Sequence, residues 1–250
     1  MNAPRHGGNA TRANLAPANA GHRDAPADFA AALAEDREKA LVLTPVSRET
    51  LARLDRFVAV LLEWQRHTNL IAPSTEAKLW TRHIADSLQL IELSQNRTTE
   101  SQASSQIWVD LGSGAGFPGL VIACALADEK VAEVHLVESI GKKATFLREA
   151  AKATAAPVQV HAVRIADFVK RAPPHIDIVT ARALAPLPKL LGDAYPLLKK
   201  GARGLFPKGQ DVAAELTEAA KYWNIKTSLT VSRTDPRSRI VVVESVEPRL

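Results

Sequence analysis

The run Ile107-Trp108-Val109-Asp110-Leu111-Gly112-Ser113-Gly114-Ala115-Gly116-Phe117-Pro118-Gly119 constrains this chain more than any other. An apolar strand ends in an acid, opens into glycines, and passes into an apolar helix from Leu120 to Leu126. Glycines at a strand-to-helix turn let backbone N–H groups approach a ligand closely, beside a helix N-terminus.

Two ligand classes compete for such a loop. Gly114 to Gly119 fits the GxGxxG spacing of dinucleotide folds. A pyrophosphate, however, has no use for a carboxylate beside it, whereas S-adenosylmethionine carries a sulfonium and an ammonium. The register Asp110-x-Gly112-x-Gly114-x-Gly116 therefore reads as a methyl-donor loop. Pro118 points the same way, since it removes a backbone donor where a phosphate would want one. A nicotinamide-dependent oxidoreductase would also need a substrate domain and a catalytic acid or Tyr–Lys pair.

The 250 residues, 46% of them hydrophobic, suffice for one core domain with an appendage. No stretch reaches the ~18 uninterrupted apolar residues of a membrane span. The lone Cys124 excludes an internal disulfide and a cysteine-rich zinc site, and suits a reducing compartment. With no signal-like apolar core at the N-terminus, the expected location is the cytoplasm. Basic residues outnumber acidic ones 32 to 27. The excess gathers after the glycine loop, with seven Lys/Arg against two Asp/Glu from Gly141 to Arg171. From Tyr195 onward the ratio is ten to six. A face that meets RNA would show this bias, and so would solvated helix surfaces.

Residues 1–36, rich in Ala, Asn, Pro and Gly, are expected to form a disordered or weakly helical extension. Residues 37–100 read as a small helical segment. Ser47 can cap a helix carrying Leu51, Leu54, Phe57, Val58, Leu61 and Leu62 at helical spacing. A second helix follows Pro73-Ser74, with Leu79, Trp80, Ile84, Leu88 and Ile91. Ser94 to Gln106 is a polar link. Residues 101–250 then alternate strand and helix. Strands are expected at 131–137, 158–163, 176–180 and 202–206, and helices at 142–155, from Pro186, and at 212–223. A closing hairpin is expected from 226–231 and 239–246. Regular alternation means a mostly parallel sheet covered on both faces, with the closing pair as an antiparallel edge. The fold class is thus α/β and Rossmann-like, of the S-adenosylmethionine-dependent methyltransferase type with seven strands.

Glu138 ends the second strand, where doubly wound folds place an acid on the ribose hydroxyls of a nucleoside. Asp167, in Arg164-Ile165-Ala166-Asp167, falls where an adenine is usually held, or serves as a helix cap. The only Pro-Pro, Ala172-Pro173-Pro174-His175, lacks the flanking acid or amide and aromatic of exocyclic-amine methyltransferases. Cytosine C5 chemistry needs a thiolate, and Cys124 sits in an apolar run that reads as core. An atom with a free lone pair, such as guanine N7, needs neither device. Arg182 and Lys208 each follow an apolar strand at the ligand-binding edge, where cations could grip phosphates or a base. His83 and Asp86 share a helix face, as a substrate-side candidate or as a structural hydrogen-bonded pair.

These residues together resemble the RsmG (GidB) family, bacterial 16S ribosomal RNA methyltransferases that modify a guanine N7 in the small-subunit decoding region. The resemblance runs from about Leu51 to Val246. It rests on Asn69-Leu70 before His83-x-x-Asp86-Ser87-Leu88, the glycine loop ending in Pro118-Gly119, Lys142-Lys143, Arg182-Ala183 and Lys208-Gly209-Gln210. The resemblance implies S-adenosylmethionine contacts at Gly112, Phe117, Ile165, Ala166 and Arg182, with Lys208 on the RNA side. Relatives often carry Glu where Ala166 stands, which leaves a backbone contact there, and Asp in place of Glu138. The implied partners are 16S rRNA and the small ribosomal subunit, with no metal and no membrane. A small-molecule methyltransferase and a non-catalytic ribosome-assembly factor are the competing readings.

Overall fold

A computed structural model describes residues 27–95, 106–128 and 132–249. Helices α1 (Ala27–Leu43) and α2 (Arg48–Gln65) come first. A 3₁₀ segment (Pro73–Lys78), a π-helical segment (Trp80–Ala85) and α3 (Asp86–Gln95) follow. Strands and helices then alternate through β1 (Gln106–Leu111), α4 (Gly119–Leu126), β2 (Ala132–Val137), α5 (Gly141–Thr154), β3 (Val158–His161) and α6 (Ile165–Phe168). Next come β4 (Ile178–Thr180), α7 (Leu187–Leu198), β5 (Arg203–Lys208) and α8 (Val212–Ala219). The hairpin of β6 (Trp223–Val231) and β7 (Arg239–Pro248) ends the chain's described part.

The seven strands form one sheet in the order β3-β2-β1-β4-β5-β7-β6. β1 to β5 are parallel, and β7 runs antiparallel to both β5 and β6. This is the Rossmann-like methyltransferase arrangement expected from the alternation. The chain order reverses between β1 and β4, so their following loops part at the carboxyl edge and leave a crevice there.

Side chains alternate across the pleat, so each central strand feeds two cores. Trp108, Val134, Leu136, Ile178 and Leu205 face one way, into a core shared with α2, α4 and α5. Val109, Leu111, Val137, Val179 and Phe206 face the other, against α7 and α8. Ser47 caps α2 by accepting from Thr50 N at 3.1 Å, and Leu54, Phe57 and Leu61 on α2 are fully buried. They sit in one continuous core with Leu120, Ile122, Phe146 and Leu147 of the sheet-covering helices. The N-terminal helices therefore pack onto the glycine-loop unit itself.

Several boundaries differ from the sequence expectation. Of the residues 1–36 expected to form a disordered or weakly helical extension, 27–36 belong to α1, which begins at Ala27; residues 1–26 lie outside the described residues. Polar anchors join Ala40 and Leu33 in fixing α1, which is why its sequence shows little apolar periodicity. Asp36 is buried and accepts from Thr81 N at 3.0 Å and Thr81 Oγ1 at 2.6 Å, while Arg37 pairs with Asp55 at 2.8 Å. The helix expected to reach Trp223 stops at Ala219, since Trp223 opens β6 and stacks beside Tyr195, 5.3 Å between ring centroids. Strand β3 ends at His161, and the short α6 was not anticipated. Most of the polar link, 96–105, lies outside the described residues.

Candidate active site

The glycine loop crosses the carboxyl end of β1 beside β2 and β4. Gly112 has φ +69°, a left-handed conformation that strains any residue with a Cβ. A Cβ there would also stand 2.6 Å from Leu184 Cδ1, so the β4–α7 loop rests directly on the glycine backbone. At Gly119 a Cβ would stand 2.7 Å from that of Asp110, which is why α4 can start so close to β1.

Asp110 is 1% exposed and lies behind this loop, lining neither of the cavities described below. Its Oδ1 accepts from Thr180 Oγ1 at 2.9 Å and its Oδ2 from Gly119 N at 3.2 Å. Burial pushes its carboxyl up to about 6, against the opposing pull of these hydrogen bonds. The acid expected to orient the cofactor thus ties strand, loop and helix together. Gly116, whose N–H donates to Ser113 O at 2.7 Å, and Phe117 are buried behind the loop as well.

Glu138 ends β2 as the sequence suggested. Its Oε2 accepts from Gly114 N at 3.0 Å and its Oε1 from Ile140 N at 2.7 Å. Two such bonds leave carboxylate lone pairs for further donors. A cavity of about 460 Å³ opens beside it, walled by Gly112, Gly114, Ile140, Ile165 and Leu184. Ala166 lines it too, whereas Asp167 turns outward to Lys170 at 3.1 Å and does not reach it. Ile140 and Val163 are more exposed here than most large apolar side chains, as flat walls for a ring would be.

A second cavity of about 810 Å³ adjoins the first, and Ala183 and Leu184 line both. Arg82, His83, Arg182, Lys208, Glu215 and Arg239 contribute its polar wall. His83 lies on the π-helical segment, a geometry that often re-aims side chains at functional sites. It stacks on Phe117 at 4.8 Å, and its Nε2 meets Thr75 Oγ1 at 3.0 Å. Arg182 donates to its Nδ1. The ring is therefore neutral, with Nε2–H donating to Thr75, and burial beside Arg182 lowers its pKa to about 3. The pairing of His83 with Asp86 is not found. Asp86 Oδ1 instead accepts from Thr234 Oγ1 at 2.8 Å and from Gln89 Nε2 at 2.9 Å.

Neither strand-end cation is free. Arg182 also donates to Arg82 O at 2.8 Å, lies 3.5 Å from Asp86, and covers Phe117 at 5.2 Å. Lys208, its side chain 10% exposed, donates to Ala185 O at 2.8 Å and to Glu215 at 2.7 Å. Both hold the β4–α7 loop in place, and Lys208 also keeps its place in the wall of the larger cavity. Asn69 is exposed and lines neither cavity. Leu184, Glu215 and Arg239 were missed, because an apolar loop residue and two charges in ordinary element patterns carry no sequence signal.

The chemistry open to the site is limited. Burial raises the Cys124 thiol to about 11, so it supplies no thiolate. Among the described residues there is no group of three or more His, Cys, Asp or Glu placed to hold a metal ion. No described helix is long and apolar enough to cross a membrane. The Tyr-x-x-x-Lys spacing of Tyr195 and Lys199 is not a dehydrogenase pair, since Tyr195 reaches Glu247 at 3.1 Å and lines neither cavity.

This sheet order, with a nucleoside-sized cavity against the glycine loop, defines a protein of the Rossmann-like methyltransferase class. The fold is similar to that of a proposed O-methyltransferase from Klebsiella pneumoniae, with a TM-score of 0.53 at 12% identity over 85% of this chain and 96% of that one. Residues 50–239 match the family model for rRNA small subunit methyltransferase G (GidB), and the chain belongs to that family. A ribosomal RNA small subunit methyltransferase G of a Bradyrhizobium species is 58% identical over 86% of this chain and 93% of its own. One from Rhodopseudomonas palustris is 54% identical over 86% and 89% respectively.

Proposed function

We propose that this protein transfers a methyl group from S-adenosylmethionine to the N7 of a guanine in 16S rRNA of the small ribosomal subunit. The observation that carries the reading is the pair of adjoining cavities that share Ala183 and Leu184. One suits a nucleoside cofactor, the other an open, charged substrate, and a methyl group has only the shared wall to pass.

The residues of the smaller cavity fit S-adenosylmethionine. Glu138 keeps acceptor capacity for ribose hydroxyls. Ile140, Val163 and Ile165 offer apolar walls to an adenine, with Ala166 contributing backbone. Gly112 and Gly114 present backbone where a side chain would fill the space. When bound, the cofactor supplies an electrophilic methyl on a sulfonium. Asp110, buried behind the glycine loop, would contribute negative charge near a bound cation from outside the cavity wall.

No histidine in the larger cavity is free to remove a proton, and of its carboxylates Glu215 is bonded to Leu187 N and Lys208. His83 is neutral with both nitrogens engaged, and Arg182 and Lys208 are cations bonded to the loop. A nucleophile already bearing a lone pair, as guanine N7 does, asks only for placement and charge stabilisation. The open, charged wall favours RNA over a small molecule. RNA binding and a cytoplasmic location follow as part of the same proposal.

The test is methyl transfer from labelled S-adenosylmethionine to small subunits lacking the modification, followed by nucleoside analysis. The expected product is 7-methylguanosine at one site, lost on Gly112→Asp substitution. Cofactor binding without transfer to subunits or free 16S RNA would overturn the RNA reading.

A further inference from the structure

The 810 Å³ cleft carries an acidic side chain whose job the loop contacts do not exhaust. Glu215, on α8, accepts at Oε2 from Leu187 N at 2.6 Å and from Lys208 at 2.7 Å. Its Oε1 has no hydrogen-bond partner among the described residues, and the side chain is 25% exposed, within the cleft wall. The opposite character stands elsewhere in the same cleft. Arg82, its side chain 45% exposed and 3.4 Å from Asp235, and Arg239, whose side chain among the described residues is bonded only to the Pro236 and Ser238 carbonyls, present positive charge. Cations and carboxylates share the cleft wall, with Asp86 beside Arg182, Lys208 on Glu215, and Asp211 also lining it.

A phosphate is attracted to Arg82 and Arg239 and repelled by Glu215, which favours an RNA strand with its backbone toward the two arginines and a base toward α8. What a carboxylate can accept from a base is N–H donors. Guanine carries two together, N1–H and the exocyclic amine, on the edge away from N7. Adenine places a lone pair at N1, which a carboxylate repels. Glu215 is tied to Leu187 at the start of α7, three residues beyond Leu184, which with Ala183 lines both cavities. A base with N7 turned to the shared wall can therefore turn its donor edge to α8. The methylated ring is a cation, and the same carboxylate offsets that charge as it develops.

We propose that Glu215 determines base specificity by accepting hydrogen bonds from the donor edge of the target guanine. This rests on the guanine-N7 reading above and names the residue that selects the base.

The experiment uses small subunits reconstituted with 16S RNA carrying either guanosine or inosine at the modified position. Inosine keeps N7 and N1–H but lacks the exocyclic amine. Wild-type protein is expected to methylate the inosine particle about 10-fold less efficiently in kcat/KM, the scale of one lost base-edge contact. Glu215→Met is expected to lower transfer to guanosine and to erase the difference between the two particles. Lys208→Met removes the same ion pair but leaves the carboxylate, and should keep the discrimination. Glu215→Gln, which retains an acceptor for Leu187 N–H, serves should the Met variant fail to fold, and should narrow the ratio. An unchanged ratio in both Glu215 variants, or no ratio in wild type, overturns the assignment. Absence of transfer to the guanosine particle by wild-type protein is a different failure, that of the methylation reading itself, and the assignment falls with it.

Discussion

Arg182 donates a guanidinium N–H to Nδ1 of His83, joining the loop after β4 to the π-helical segment that precedes the sheet. Phe117 lies beside both, stacked on the imidazole at 4.8 Å and under the guanidinium at 5.2 Å. Through this cluster the N-terminal helices become part of the wall of the larger cavity. Burial lowers the pKa of each partner, and Asp86 at 3.5 Å offsets part of that cost for the arginine.

His83 should behave as a positioning residue. Its folded pKa of about 3 lies below its ordinary 6.5, so the unfolded chain binds more protons between those values. Its contribution to stability is therefore present above about pH 6.5 and is lost as pH falls toward 3. Melting curves of wild type and His83→Asn should diverge at neutral pH and converge in that acid window. The kcat profile should show no ionisation near 6.5 that disappears in the variant.

Asp110 predicts the reverse slope. Its folded pKa of about 6 exceeds the ordinary 3.8, so the ionised form is destabilised in the fold. Stability should fall as pH rises from about 4 through 6, by on the order of 3 kcal/mol for this group. Asp110→Asn is compatible with the site, since its oxygen can accept from Gly119 N–H while its amide donates to Thr180 Oγ1. The variant should melt higher than wild type at pH 8 and bind S-adenosylmethionine more weakly, both checked by calorimetry.

Gly112→Ala combines a left-handed φ of +69° with a contact of 2.6 Å to Leu184 Cδ1. Strain of this kind costs about 1–3 kcal/mol. Denaturant unfolding should register that loss, and cofactor affinity should drop further because Leu184 is displaced into the smaller cavity. An unchanged affinity would separate the loop from cofactor binding.

Arg182→Lys should not be conservative. A lysine has one charged nitrogen where the guanidinium reaches His83, Arg82 O and Asp86 together. We expect a loss of about 2 kcal/mol or more in stability, as for other broken buried networks. Transfer activity should fall more than cofactor affinity, measured by isothermal titration beside methyl-transfer rates.

The fold was legible in the sequence because it follows from local pattern. Strands buried on both faces read as apolar runs, and the β1 loop advertised itself through glycines at fixed spacing. Glu138 was singled out for the same reason, as a strand-end acid at a regular distance from the loop, and it lines the smaller cavity. Asp110 and Lys208 were identified as site residues, but their directions were not. Whether a strand-end side chain faces the ligand or the packing behind it depends on what lies across the gap: Thr180 and Gly119 for Asp110, Ala185 and Glu215 for Lys208.

The sequence by itself determined the class of sheet, the glycine loop and the acid beside it, since each is set by residues close together in the chain. Only the tertiary structure decided that α1 starts at Ala27, that His83 is held neutral by Arg182, and that Leu184 separates two cavities. Those relationships join residues from as many as about a hundred positions apart. They depend on burial and on the direction of single hydrogen bonds, which no local spacing encodes.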